Sequence, residues 1–113
     1  MAFLFGRKDD APYKNLTIAE YREKFGTAPH ALIDVRTVGE YEDGHLPGAV
    51  NIPLDQLGRR LAEVPHDKPI IVVCATGSRS KSGSSIIARA GRTEVYNLQG
   101  GTMAWMMQRL PLE

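Results

Sequence analysis

The residue types with the most chemistry in this chain fall in one short stretch, "PIIVVCATGSRSKSGSS", residues 69 to 85. An apolar run from Ile70 to Val73 ends at Cys74, the only cysteine, and Ala75, Thr76, Gly77, Ser78, Arg79 and Ser80 follow. A strand that breaks into a tight loop and then a helix N-terminus makes an anion site, because backbone N–H groups turn inward and the helix dipole adds positive potential. The residues after Cys74 are small enough for their amides to crowd around one point, and Gly77 can take a positive φ at no steric cost. A cysteine at the centre of such a ring is held as thiolate, the nucleophilic form. Arg79 adds a permanent charge and a fork of donors suited to an oxyanion or leaving group. Against this stands the plainer reading that a cysteine closing an apolar strand is a buried small hydrophobe. The loop favours the nucleophile or anion site, since a structural turn needs neither Arg79 nor so many free amides.

The elements that must position Cys74 read as alternating strands and helices. "YKNLTIAEYREKF" is a short strand running into a helix, with Thr17 and Glu20 as a capping box. "ALIDV" (31–35) has strand length, "TVGEYEDG" is a helical turn ended by Gly44, and a brief strand is expected from Ala49 to Ile52. Leu54, Leu57 and Leu61 share one face of a helix stopped by Pro65. "PIIVV" (69–73) is apolar throughout, as a central strand buried on both faces should be. A helix then runs from Ser78 to Gly91, weakened at Gly83 by roughly 1 kcal/mol relative to alanine. "EVYNL" (94–98) is a strand, and "GGTMAWMMQRL" is a last helix stopped before Pro111. This alternation implies an α/β fold with mainly parallel strands and helices on both faces. Ligands in such sheets sit beyond the carboxyl ends of the strands, where Cys74 lies.

Composition narrows the classes. The chain has 113 residues, 42% hydrophobic and 24% charged, as expected of one soluble globular domain over 1–113, with a core over 15–111 and a short extension over 1–12. A formal charge of +1 gives no reason to expect nucleic acid or a membrane as partner. A single cysteine excludes an internal disulfide and suits a reducing, cytoplasmic compartment. His30, His45 and His66 show no ligand spacing with Cys74, so no metal site is expected. In "MAFLFGRKDD" the charges come too soon for a signal peptide, and no run reaches the length of a membrane span. No heptad or apolar stripe declares itself, so a monomer is expected.

Three segments together resemble a single-domain rhodanese, of the sulfurtransferase family. "LIDVRTVGEYEDGHLPGAVNIP" resembles the pattern D-V-R-x-x-x-E-[FY]-x-x-G-H-[IL]-x-G-A-x-N-[IV]-P, "CATGSRS" resembles the six-residue active loop C-x-x-G-x-[RS], and "VYNLQGGTMAW" is similar to a strand followed by G-G-x-x-x-W. The resemblance implies a compact α/β domain with a central parallel five-stranded sheet. It implies a persulfide on Cys74, formed from a small donor such as thiosulfate or a persulfide and passed to cyanide, a cellular thiol or a sulfur-relay protein. The loop from Ala75 to Ser80 would hold the anion, and no cofactor is implied. Asp34 and Arg36 match D-V-R; Arg36 either faces the substrate or is tied internally, by an ion pair or by hydrogen bonds to Glu40. His45 is expected to be packed and bonded to backbone, not a base. Trp105, Met103, Met106 and Met107 are expected in core and rim packing, and Gly100 and Gly101 in a tight turn.

The sequence also departs from the family pattern. Ala75 stands where many thiosulfate-using members have Arg or Lys, which leaves Arg79 as the loop's only cation. Arg109 replaces a frequent glycine and should alter only the helix end, and Gly83 replaces a usual alanine. Phosphatase or arsenate-reductase chemistry fits less well, because four residues, not five, separate Cys74 from Arg79 and no general acid is evident. Non-catalytic recognition domains of this fold commonly lose the cysteine, which this chain keeps.

Overall fold

The computed structural model describes residues 11–113, so the reading of "MAFLFGRKDD" lies outside the described residues. Five strands, β1 (Lys14–Leu16), β2 (Ala31–Asp34), β3 (Val50–Asn51), β4 (Ile70–Val73) and β5 (Val95–Leu98), form one sheet in the order β1-β5-β4-β2-β3. Every pairing is parallel, with Asp34 beside Val73 and Val72 beside Asn97 in register. The helices are α1 (Ile18–Phe25), α2 (Val38–Glu42), α3 (Leu54–Leu57), α4 (Arg79–Arg89) and α5 (Gly101–Met107). The α/β architecture expected from the alternation is the one observed.

Strand periodicity divides the core. Ile71 and Val73 point into a cluster with Tyr21 and Phe25 of α1 and Trp105 of α5. Ile70 and Val72 point the other way, against Leu57 of α3 and Ile87 of α4. Both faces of β4 are therefore covered, and each buried Val or Ile contributes roughly 1.5–3 kcal/mol. Cys74 continues the same alternation and joins the α4 side. The two-residue period of the strand thus aims the thiol at the helix that follows it.

Two capping boxes fix helix starts: Thr17 with Glu20 at α1, and Thr37 with Glu40 at α2. Several expectations need correction. The helix expected through Leu54, Leu57 and Leu61 stops at Gly58 and resumes only as a 3-10 turn over Leu61–Glu63. The buried Arg92 collects carbonyls there, with Nη2 donating to Leu61 O and Val64 O at 2.7 Å. Gly83 has a packing role beside its cost to the helix. A Cβ there would lie 3.2 Å from both Val35 Cγ1 and Val72 Cγ1, so the glycine lets α4 sit close on the sheet. Trp105 is buried as expected, but Met103, Met106 and Met107 are 53%, 50% and 81% exposed. Their spacing puts them on the solvent side of α5, opposite Trp105.

Candidate functional site

Cys74 is the first residue beyond β4, and α4 begins five residues later at Arg79. Between them the chain turns at Gly77, whose φ of +101° lies in the region that favours glycine. Gly77 N and Ser80 N each donate to Cys74 Sγ at 3.2 Å. Ser80 N is one of the first amides of α4, which no helical carbonyl can satisfy. Ser78, at the N-cap, makes no side-chain cap bond, so that amide is left for the sulfur. Burial pushes the Cys74 thiol up, but hydrogen bonds within the loop, those from the backbone amides of Ser80, Gly77 and Thr76 among them, bring it below its ordinary value.

The carbonyls of the loop must face away from the sulfur for its amides to face inward, and α5 arranges this. Thr102 N donates to Cys74 O and Met103 N to Ala75 O, both at 2.9 Å. Thr102 Oγ1 adds a second bond to Cys74 O at 3.2 Å. The free amides at the start of α5 thus hold the outer side of the loop. Gly101 makes the approach possible: its φ is +60°, and a Cβ there would meet Cys74 O and lie 2.7 Å from Ala75 C. The tight turn expected at Gly100 and Gly101 therefore serves the cysteine loop directly.

Arg79 Nη1 and Nη2 donate to Glu40 Oε1 and Oε2 at 2.8 and 2.9 Å. The Arg79 guanidinium, aided by the Thr37 backbone, brings the Glu40 carboxyl down to about 2, and Glu40 in turn raises Arg79. The guanidinium expected to meet a donor is thus committed to α2. Arg36 is buried and donates to both carboxylate oxygens of the buried Asp34, the shortest bond being 2.8 Å, and Nη2 also reaches Gly44 O at 2.8 Å. Of the two readings of Arg36, the geometry matches the internal tie, with Asp34 in place of Glu40. Asp34 and Arg36 bind the two ends of the segment that carries α2, and α2 carries Glu40 to Arg79. His45 Nδ1 lies 2.8 Å from Tyr41 O and its ring stacks on Tyr41, as a packed histidine would.

Two buried polar residues that touch the cysteine loop, Thr102 and Asn97, escaped the sequence reading. Asn97 of β5 bonds to the Ser80 hydroxyl and, through Nδ2, to Asn15 Oδ1 at 2.9 Å. A lone amide inside the apolar "VYNL" was the available signal. A cavity of about 320 Å³ beside the loop is lined by Thr76, Gly77, Ser78, Lys81, Asn97 and Gly100, among others. The larger hollow, about 710 Å³ between α1 and α5, contains no residue of the cysteine loop. The smaller one adjoins the loop through Thr76, Gly77 and Ser78, although Cys74 itself does not line it. Among the described residues no cluster of His, Cys, Asp and Glu could hold a metal ion, and no helix is long and apolar enough to cross a membrane.

A cradled thiol of this geometry can attack an electrophilic sulfur and hold the resulting anion. The comparisons with known proteins point the same way. The family model of the rhodanese-like domain matches residues 17–108. The uncharacterised protein YqhL of Bacillus subtilis is 44% identical over 92 residues, 81% of this chain and 71% of its own. A sulfurtransferase of Allochromatium vinosum is 33% identical over 81 residues, 72% of this chain and 76% of its own. The crystal structure of a rhodanese-related protein from Thermoplasma volcanium aligns with a TM-score of 0.80 at 26% identity, covering 89% of this chain and 98% of that one. The matched span runs from the Thr17 cap of α1 to the Gln108 cap of α5 and encloses the whole cysteine loop. The chain belongs to the rhodanese-like domain family.

Proposed function

We propose that the protein is a sulfurtransferase that carries sulfur as a persulfide on Cys74. The observation that carries this reading is the convergence of the Gly77 and Ser80 amides on Cys74 Sγ at the end of the central strand. In the first step the Cys74 thiolate attacks the outer sulfur of a donor such as thiosulfate. The Sγ–S bond forms, the donor's S–S bond breaks, and its electron pair leaves with sulfite. The persulfide's terminal sulfur carries the negative charge, which the loop amides from Ala75 to Ser80 stabilise. Cyanide or a thiolate then attacks that sulfur and the Cys74 thiolate is regenerated. A reducing compartment such as the cytoplasm suits the cycle, since it keeps Cys74 free.

A relay reading, in which a protein or low-molecular-weight persulfide is the donor, is favoured by one observation. Arg79 is held by Glu40, and Ala75 supplies no charge for a sulfonate. The exposed Met103, next to the loop in the Ala75–Met103 pairing, leaves the rim open to a partner.

Intact mass tests both. The reduced protein is weighed before and after thiosulfate, and again after cyanide. A gain of one sulfur that cyanide removes, absent in Cys74→Ser, is the expected result. If thiosulfate adds nothing while a persulfide donor does, the relay reading stands. No gain from either donor overturns the sulfur-carrier role.

A further inference from the structure

Ser80 has two partners and one proton. Its Oγ lies 3.3 Å from Cys74 Sγ, yet its hydroxyl donates to Asn97 Oδ1. Both Ser80 and Asn97 are wholly buried. A hydroxyl has one hydrogen and two lone pairs. With that hydrogen on Asn97, Ser80 turns only a lone pair towards the sulfur. A lone pair accepts the S–H of a thiol, but it adds nothing to a thiolate. The Asn97 Nδ2 bond to Asn15 Oδ1 holds the amide with its oxygen towards Ser80.

We propose that Asn97 is a positioning residue that keeps the single Ser80 proton away from Cys74 Sγ, so that backbone amides alone hold the sulfur anion. The inference rests on Cys74 being the sulfur carrier. Its consequence is a more reactive thiolate, because each further hydrogen bond to sulfur lowers its basicity and with it its nucleophilicity. No proton leaves the network: the hydroxyl either stays on Asn97 or rotates onto Sγ.

Other charges near Cys74 are accounted for separately. Arg79 begins α4 and is paired with Glu40 of α2, the Asp34–Arg36 pair closes β2, and Lys81 lines the neighbouring cavity. From β5 and α5 come Asn97, Gly100, Gly101 and Thr102, none of which titrates. Replacing Asn97 by an apolar residue therefore alters the hydroxyl and removes no charge.

The test is the pH dependence of Cys74 alkylation by iodoacetamide, unambiguous because the chain has one cysteine. Asn97→Leu, close in size and lacking the acceptor, frees the hydroxyl for the thiolate. Its alkylation midpoint should fall by on the order of one pH unit, a tenfold gain in the thiolate-to-thiol ratio. The plateau rate should drop about threefold as the sulfur becomes less basic. In Asn97→Leu/Ser80→Ala the midpoint should return to that of Ser80→Ala, whereas a merely structural effect of Asn97→Leu would persist. An unchanged midpoint in Asn97→Leu, or a shift that persists in the double variant, overturns the proposal. Ser80→Ala alone decides if Asn97→Leu does not fold. Its midpoint should not rise, and a rise of about one unit would mean the hydroxyl already served the thiolate. Alkylation reads the thiol and not sulfur transfer, so a failure of persulfide loading by mass remains a separate result.

Discussion

A thiol 1% exposed at the end of a strand would be an inert core residue without donors around it. What changes its chemistry is that neighbouring amides lack other partners. Gly77 N turns inward because its residue adopts a positive φ, and Ser80 N is free because it opens a helix. The Glu40–Arg79 pair acts beside this thiol, and its sign is open to test. The folded Glu40 carboxyl titrates at about 2, below its ordinary 4.5, so it releases its proton more readily folded than unfolded. Its contribution is fully present above pH 4.5 and is lost as pH falls towards 2. Glu40→Gln should lower the urea midpoint at neutral pH, with the gap to the unsubstituted protein closing across that window. The effect should be about 1 kcal/mol or less, since the two side chains are 36% and 38% exposed and solvent screens them.

At the scale of elements, the start of α5 governs the loop. Gly101→Ala places a methyl against Cys74 O and Ala75 C and forces a side chain into a left-handed backbone. The variant should lose at least about 2 kcal/mol of stability in urea titration. Persulfide loading should fall further than the stability loss explains, because the loop carbonyls lose their anchors. The other end of α5 carries the opposite kind of defect. Arg109 has a φ of +59°, the only non-glycine among the described residues with a positive φ. Arg109→Gly should raise stability by about 1 kcal/mol, read as a higher melting temperature with unchanged sulfur loading. The expectation that Arg109 alters only the helix end agrees with its place two residues past α5. The helix over 54–64 was misread for a reason of the same scale. Leucine spacing signals a buried face, but Gly58 and the Arg92 guanidinium, 28 residues beyond Val64, decide where the helical bonds stop.

For the molecule as a whole, β4 is the member on which both layers close. Ile71 faces the cluster of α1 and α5, while Ile70 faces that of α3 and α4. Ile71→Ala should cost about 2–5 kcal/mol in urea titration, because a fully enclosed site cannot collapse around the gap. The same sheet explains how distant segments meet at Cys74. Parallel pairing of β2, β4 and β5 puts their carboxyl ends on one edge. There Glu40, reached through β2, and Asn97 of β5 arrive on opposite sides of the cysteine loop. Glu113 is tied to the segment after α2, with Glu113 N donating to His45 O at 2.8 Å and His45 N to Glu113 O at 3.1 Å.

The α/β alternation, the buried central strand and the tight loop that turns its amides towards Cys74 were all legible in the sequence. They depend on local patterning: apolar period, a capping box at Thr17, and small residues after the only thiol. The partners of that loop were not legible, because each lies far along the chain. Thr102 and Met103 hold its carbonyls, Glu40 takes the guanidinium of Arg79, and Asn97 takes the hydroxyl of Ser80. A hydrogen bond is specific in distance and angle, and the sequence lists donors without stating which acceptor each will reach. Only the packing of β2, β5 and α5 around β4 decided that.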